Sequence, residues 1–435
     1  MRRILTFGGL GGLICGIDFG IIAVAVPYIR SLRLYSDSQI GWIVGGVLFG
    51  GIFASACGGF LCDRLGRRAV IRLAVGCFLA SIPIICLSGV SFPLIMGGRI
   101  LQGLSCGFLS VAMPMYLAET LPPERRGKGT AIFQLFLGIG LVLAAFAGVV
   151  LAKTLGAADA DTSVVPDAAK SLAWRLNFWW TLLPAACLAV SSLMVPESEL
   201  RPQNSQLSTQ NSQLQTLLQR RYVIPFLLAL AVLTLNKLIG FGCVVPYAVV
   251  LFQKAGLSGA LGNCGDLAFK VVNLSVTLLV VGLVDKKGRT FLLRIGTAGL
   301  SAALGAIGVL FLAIERGWLQ PSVAVGSVTL AAFLALVFFY SFGPGVCVWL
   351  VLSELMPTRI RANGMSIALF SNQFVAWGLA SAFLPIANAC GFGPLFLSFA
   401  SFGVLYFATV LFIPETNGKS LEEIETLFDR RSQHA

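Results

Sequence analysis

Charged residues are scarce in this 435-residue chain, and they cluster so that long apolar stretches lie between the clusters. Asp, Glu, Lys and Arg make up 11% of the residues, whereas soluble proteins carry about a quarter. The uncharged stretches run for roughly 18 to 25 residues, the length that a helix needs to cross about 30 Å of hydrocarbon. The pattern therefore predicts an all-α membrane protein and excludes a soluble one.

Counting the stretches predicts twelve transmembrane helices, and the even number places both termini on one side of the membrane. One long polar connection separates two sets of six. We expect an N-terminal six-helix bundle at 1–196, a cytoplasmic linker with short helices at 197–222, a C-terminal six-helix bundle at 223–413 and a cytoplasmic tail at 414–435. The predicted spans are 5–27, 40–61, 69–90, 94–117, 129–152, 176–195, 223–252, 266–284, 291–313, 322–351, 364–388 and 393–413.

Arg and Lys are concentrated in the loops on the side of the termini. Cytoplasmic loops of membrane proteins carry an excess of these residues, so the bias predicts that both termini are cytoplasmic. The same loops account for the net charge of +12 without a nucleic-acid partner. The basic residues on this side are Arg2, Arg3, Arg64, Arg67, Arg68, Arg125, Arg126, Lys128, Lys286, Lys287, Arg289, Arg359 and Arg361.

Three loop motifs occur twice in the same order, once in each set of six spans. The run Asp-Arg-Leu-Gly-Arg at 63–67 follows the second span, and Asp-Lys-Lys-Gly-Arg at 285–289 follows the eighth. Glu119 and Glu354 each stand three positions before a Pro and seven before an Arg. A Pro-Glu pair ends both the sixth and the twelfth span. A repeat of this length predicts two pseudo-symmetric halves with a solute site at their interface.

The repeated loops place acids and bases together at the cytoplasmic mouth in both halves. Charges of opposite sign at such a boundary can pair when the halves close and separate when the halves part, which predicts a gate. The alternative is that these charges only fix the topology. The candidate gate residues are Asp63, Arg64, Arg67, Arg68, Glu119, Arg126, Glu197, Asp285, Arg289, Glu354, Arg361 and Glu415.

Six runs along the chain carry a resemblance to one family. They are Gly58 to Arg68, Gly98-Arg99 with Gly103 and Gly107, Pro114 to Glu119 leading to Arg126-Gly127, Pro196 to Ser198, Gly343-Pro344-Gly345 with Trp349, and Pro414 to Glu423. In these runs the chain resembles the sugar porter family of the major facilitator superfamily over nearly its whole length, as a divergent member. The resemblance implies the major facilitator fold, with twelve helices in two six-helix bundles.

The resemblance also implies a sugar site between the halves. Gln134 matches the family's sugar-contacting glutamine in the fifth helix, and Asn273, Trp349 and Asn372 match positions in the eighth, tenth and eleventh helices. Amides offer donors and acceptors to hydroxyl groups, and an indole offers a flat apolar wall. For any one amide, the alternative is a hydrogen bond between helices.

The seventh helix departs from the family pattern. Sugar porters carry Gln-Gln-x-x-Gly-x-Asn there, whereas this chain has Asn236-Lys237-Leu-Ile-Gly-Phe-Gly. A Lys at membrane depth costs about 2.5–3.5 kcal/mol on insertion scales and faces a cavity or a partner. Lys237 therefore pairs with a carboxylate or meets an anionic or unusual solute, and both interpretations stay open.

Asp18 lies inside the first predicted span, where a carboxylate indicates function. The expected partner is Arg99 at the start of the fourth span. In this position the chain resembles those sugar porters that are proton symporters, which carry an Asp, whereas facilitators have Asn. The resemblance therefore favours proton coupling. The alternative is a static ion pair that orients two helices.

The sequence predicts a carrier of a monosaccharide, most simply a hexose, working by symport or by facilitated diffusion. The open alternatives are a carrier of a polyol or other organic solute, anionic if Lys237 binds it, and a non-transporting sugar sensor. No Walker loop, metal-spaced His set or nucleophile elbow is present in the sequence, so we expect no enzyme, no cofactor and no metal. We expect a monomer in the plasma membrane.

Overall fold

The computed structural model describes residues 2–122, 126–156, 165–196, 220–355 and 361–413. Within them it contains twelve helices long and apolar enough to cross a membrane, which confirms the predicted fold class. The first six spans are built from α1 (Arg2–Ser31), α2 (Asp37–Leu65), α3 (Arg67–Cys86), α4 (Phe92–Thr120), α5 (Arg126–Leu155), α6 (Asp167–Trp179) and α7 (Leu182–Met194). The second six are built from α8 (Arg220–Leu238), α9 (Phe241–Lys254), α10 (Ala260–Lys287), α11 (Arg289–Glu315), α12 (Val323–Phe342), α13 (Pro344–Leu355), α14 (Arg361–Cys390) and α15 (Phe392–Leu411).

Three spans consist of two helical segments each. The seventh span breaks between α8 and α9 at Gly240, whose φ of 74° is a left-handed conformation that glycine adopts at little cost. The tenth span breaks between α12 and α13 at Gly343, and the sixth breaks at Trp180 and Thr181. Broken helices at membrane depth are tolerated where they face protein or a cavity, which is where transporters place them.

Several predicted spans were too short. The eighth span was predicted at 266–284, but α10 begins at Ala260, and the helix of the seventh span begins at Arg220 instead of 223. The predicted span already contains Asp266 and Lys270, which form an ion pair within one helical turn, and the helix extends six residues further, back to Ala260. Most of the linker at 197–222 and the whole tail at 414–435 lie outside the described residues.

The internal repeat is visible in the backbone of the two Asp-x-x-Gly-Arg loops. Gly66 has φ 88° and ψ 153°, and Gly288 has φ 86° and ψ 153°. In both loops the glycine ends one helix and begins the next, and its N–H donates to the carbonyl oxygen four residues earlier, on Cys62 or Val284. A positive φ with so short a connection requires glycine, so the shared Gly sets the same turn in each half.

Close packing of α1 against α5 depends on small residues. A Cβ atom at Gly12 would overlap the carbonyl oxygen of Phe133, and one at Gly16 would overlap that of Leu137. Glycines at four-residue spacing lie on one face of a helix and let two backbones approach in a membrane, where packing replaces the hydrophobic effect. The helix that carries Asp18 is therefore held firmly within the first half.

The two halves meet along three helix pairs, α2 with α14, α5 with α10, and α1 with α9. We call the end of the bundle with the loop at 63–67 the basic end, and the opposite end the far end. At the far end, Asn388 Nδ2 of α14 donates to Asp37 Oδ2 of α2, which also pairs with Arg30 at 3.3 Å. The segment α9 runs from mid-depth to the far end, so its contact with α1 closes that end.

Candidate functional site

Asp18 of α1 and Arg99 of α4 lie together inside the first half. Both are buried, with relative exposures of 0% and 1%, and Arg99 Nη1 lies 3.4 Å from Asp18 Oδ1. The thiol of Cys106, two turns along α4 from Arg99, donates to Asp18 Oδ2 at 3.3 Å. The structure therefore brings together the two residues that the sequence paired.

Arg99 makes shorter polar contacts with other residues than it makes with Asp18. Its Nη1 donates to Gln102 Oε1 at 2.6 Å, and its Nε donates to the carbonyl oxygen of Ile43 in α2 at 3.2 Å. Its guanidinium also stands over the ring of Phe178, 5.9 Å from the centroid. These contacts fix the cation independently of Asp18, because each of them persists if the carboxylate takes up a proton.

Gln134 of α5 is exposed, and its position shows what it faces. Gly138, one turn further along the same face, packs against Leu274 of α10 in the second half. Gln134 therefore points into the space between the halves, on the basic side of that contact. Its amide can meet a solute that enters from the basic end.

The other predicted solute contacts differ in how free their amides are. Asn273 Nδ2 of α10 donates to Ser341 Oγ at 3.1 Å, and the Asn273 side chain is half-buried. Asn372 of α14 is buried, and its Nδ2 donates to the carbonyl oxygen of Leu233 at 3.0 Å. That bond is the helix–helix hydrogen bond left open as the alternative for each amide. The Trp349 side chain lies outside the described residues.

Asn236 and Lys237 lie at the end of α8, just before the break at Gly240. Asn236 is 3% exposed, and no described residue hydrogen-bonds to its Oδ1. Lys237 is half-buried, and the ion pairs among the described side chains do not include it. Beyond the break, the rings of Phe241 and Tyr340 stack with centroids 3.5 Å apart and form an aromatic wall. A cation, a buried amide and an aromatic wall thus lie around one break in a membrane helix.

At the basic end, Arg67 is the centre of the candidate gate in the first half. Its Nε lies 2.9 Å from Glu119 Oε1 at the end of α4, and its Nη1 lies 3.3 Å from Asp63 at the end of α2. The same Nη1 donates to the carbonyl oxygen of Cys62 at 3.0 Å. All these partners belong to the first half, so the contacts tie α2, α3 and α4 together.

The two neighbouring arginines have other contacts. Arg68 donates to the carbonyl oxygens of Ser192 and Leu193, both at 2.9 Å, where α7 ends. A cation at a helix C-terminus is favourable because it meets unpaired carbonyl groups. Arg64 is exposed and stands over the Phe60 ring at 5.1 Å.

The second half of the candidate gate is described mainly by its backbone. Arg289 begins α11 directly after Gly288, at the position that Arg67 has after Gly66. The side chains of Arg126, Asp285, Glu354 and Arg361 lie outside the described residues, although their backbones lie on helices. Glu197 and Glu415 lie outside the described residues entirely.

The sequence reasoning missed a second buried ion pair. Asp266 and Lys270 of α10 are 0% and 2% exposed, and Lys270 Nζ lies 2.7 Å from Asp266 Oδ2. The signal was present, since two opposite charges four residues apart share one helix face. Both residues lie inside the predicted eighth span at 266–284, but they were not identified as a pair.

Two halves of six membrane helices, joined around a polar path, define a membrane carrier of the major facilitator fold. The sequence profile of the family described as "Sugar (and other) transporter" matches residues 5–200 and 199–428, and the chain belongs to that family. Membership confirms the predicted class, a transporter and not an enzyme.

Relatives and solved structures match this chain over nearly its whole length. The glucose transporter GlcP of Staphylococcus epidermidis is 30% identical, over 97% of this chain and 96% of that protein. The arabinose-proton symporter of Bacillus subtilis is 28% identical, over 97% and 93%. A structure described as the inward open conformation of the xylose transporter XylE from E. coli matches with a TM-score of 0.80 at 25% identity, covering 98% of this chain and 99% of that one.

Proposed function

We propose that this protein carries a monosaccharide, a hexose in the first instance, across a membrane by alternating access. The observation that carries the proposal is the position of Gln134, an exposed amide at the interface of two halves that touch at the far end. An uncharged donor and acceptor suits a polyhydroxylated solute. The names of the relatives, transporters of glucose, xylose and arabinose, support this class of solute.

The test is uptake of labelled solutes by the full chain in proteoliposomes, with and without a pH gradient. We expect entry of one or more monosaccharides, competition by other monosaccharides, and weaker competition by polyols. Gln134→Leu is expected to reduce sugar uptake strongly. Failure of every sugar to bind or move would overturn the proposal.

We infer further that Asp18 and Arg99 couple transport to protons. Arg99 is held by Gln102 and Ile43, so protonation of Asp18 can release α1 from α4 without displacing the cation. The relative named as an arabinose-proton symporter supports this inference. Coupled transport requires that a pH gradient drive accumulation above the outside concentration, whereas facilitated diffusion stops at equality.

For the basic end, we propose a gate made from both repeats. The Asp63–Arg67–Glu119 contacts make the basic ends of α2, α3 and α4 one rigid unit. The equivalent residues of the second half, including Arg289 and Glu354, would form the matching unit. The two units approach each other when the basic end closes. Both contain the same turn, at Gly66 in the first half and at Gly288 in the second.

A second candidate solute is a sugar that bears a carboxylate, and Lys237 favours it. No described carboxylate neutralises this lysine, and an ammonium group at membrane depth is favoured by an anionic partner. Lys237→Gln would replace the cation with the amide that sugar porters carry nearby. If the solute is anionic, this variant loses competition by sugar acids and keeps competition by neutral sugars. Equal inhibition of variant and wild type by sugar acids would remove this candidate.

We also propose that the basic end and both termini are cytoplasmic, and that the protein is a monomer in the plasma membrane. The excess of Arg and Lys at that end supports the orientation. Protection of a C-terminal tag from external protease in intact cells, with cleavage after lysis, would check it.

A further inference from the structure

One face of α10 is polar although it lies inside the protein. Asn263, Asp266 and Lys270 stand three and four residues apart, so they share this face, and their exposures are 4%, 0% and 2%. The face covers the seam between α1 and α5 of the other half. Gly148 of α5 leaves room for it, because a Cβ there would lie 3.3 Å from Asn263 Oδ1.

Lys270 makes two contacts of different kinds. Its Nζ lies 2.7 Å from Asp266 Oδ2, one turn away on the same helix. Its Nζ also donates, at 3.4 Å, to the carbonyl oxygen of Gly20 in α1. The first contact needs only α10 and survives any motion of the halves. The second joins the halves and exists only while α1 and α10 are close.

The contact between Lys270 and Gly20 lies near the middle of the two helices, at the depth of the solute path. Gly20 lies eleven residues before the end of α1 and Lys270 lies ten after the start of α10, which puts each about 15 Å from the far end of its helix. Asp18 precedes Gly20 by two residues and therefore points to a different face of α1. Thus α1 is held by Arg99 on one face and by Lys270 on another.

We propose that Lys270 is a positioning residue that favours closure of the far end, through a bond to the Gly20 carbonyl that forms only in that state. Asp266 holds the ammonium group by an ion pair and directs it at α1. The proposal rests on the alternating access proposed above. The competing account is an ion pair that only stabilises α10 and has no effect on the balance between the two states.

Exchanging the two charges separates these accounts. Asp266→Lys with Lys270→Asp keeps an ion pair within α10, so a merely structural pair would be preserved. However, the shorter carboxylate at 270 cannot donate to the carbonyl oxygen of Gly20, so the bond between the halves would be lost. The ammonium group at 266 would lie about 6 Å nearer the far end, beside the apolar contact of Val24 with Gly148.

The experiment is hydrogen–deuterium exchange of the full chain in lipid nanodiscs, without solute. The variants are the charge exchange, the neutral pair Asp266→Asn with Lys270→Met, and the control Lys153→Met, which removes an exposed lysine at the far end of α5. We expect faster exchange in segments 20–31 and 241–254 for both double variants. The shift in the open-to-closed ratio should be about tenfold, the size of one charge-assisted hydrogen bond.

The charge exchange is the deciding variant because it keeps an ion pair within α10, so failure of the neutral pair to fold leaves the test intact. Far-end exchange that matches wild type in a folded double variant would overturn the proposal. So would equal acceleration in Lys153→Met. Because the readout uses no solute, a failure of every sugar to be transported would count against the proposed function and leave this result standing.

Discussion

The two buried ion pairs of this protein are built in opposite ways. Asp18 and Arg99 come from different helices, and their 3.4 Å contact is the longest that Arg99 makes with its polar partners. Asp266 and Lys270 come from one helix and lie 2.7 Å apart, and the long contact is the one from Lys270 to Gly20 in the other half. In both cases the short contacts lie within one rigid part, and the longest contact joins α1 to a neighbour.

This difference explains how a carrier can hold charges in a membrane and still move. A buried charge with no partner is costly, so each cation keeps a partner that moves with it, Gln102 for Arg99 and Asp266 for Lys270. The contacts that the proposed alternating access would break are the long ones, at 3.4 Å in both pairs. Helix α1 is the element on which both breakable contacts converge.

The largest effect is expected from Asp18→Asn, which removes the proposed proton-binding group and keeps the shape of the side chain. Accumulation driven by a pH gradient should be abolished, because Asn cannot take up and release a proton. Exchange of labelled for unlabelled solute should remain, since it needs no net proton movement. Sided proteoliposomes measure both quantities.

The matched control for this variant is Asp167→Asn, which changes an Asp whose side chain is 77% exposed and paired with Lys170. It should leave accumulation and exchange as in wild type. Undiminished accumulation in Asp18→Asn would reduce the Asp18–Arg99 pair to a structural contact.

The next largest effect is expected from Arg67→Gln at the basic end. The contacts of Arg67 all lie within the first half and hold its helices together. Its three polar contacts are all 2.9–3.3 Å, and none is a long contact to a moving partner. Removal takes one cationic partner from Glu119 and from Asp63 and should cost about 3 kcal/mol of stability, the lower end for a buried pair because the acids are partly exposed. Thermal unfolding in detergent measures this loss.

Arg64→Gln is the control, three residues away and exposed, and should change stability by no more than about 0.5 kcal/mol. If Arg67→Gln instead kept its stability and changed only the rates of entry and exit, the Arg67 contacts would not be what holds α2, α3 and α4 together as one unit of the gate.

A smaller loss is expected from Gln102→Met, which keeps the side-chain length and removes the acceptor at 2.6 Å from Arg99. A hydrogen bond to a charged group contributes about 1.5–3 kcal/mol, so the melting temperature should fall. Ser105→Ala, whose buried hydroxyl has no hydrogen-bond partner among the described residues, should change it little. Equal melting temperatures for Gln102→Met and wild type would show that Arg99 depends on Asp18 after all.

The features that could be predicted from the sequence are those that a charged residue in an apolar stretch indicates directly. The twelve spans follow from the charge clusters, and the Asp18–Arg99 contact follows from two lone charges in apolar spans. The predicted eighth span contains Asp266 and Lys270, but the charge clusters that set the spans do not identify an ion pair within one helical turn. The contact of Asp37 with Asn388 joins residues 351 positions apart, and no local pattern predicts it.

The smallest effect is expected at Asn263, which tests whether the polar face of α10 acts as a whole or through Lys270 alone. No described residue hydrogen-bonds to its buried Oδ1, so the side chain loses little when Leu, of similar volume, replaces it. Replacing an unpaired polar group by an apolar one is nearly neutral or stabilising, so Asn263→Leu should melt at or above the wild-type temperature and transport normally. If transport fell while stability held, Asn263 would itself bind a solute, a water or a proton carrier. The contrast between the two ion pairs would then extend to a polar site shared along α10.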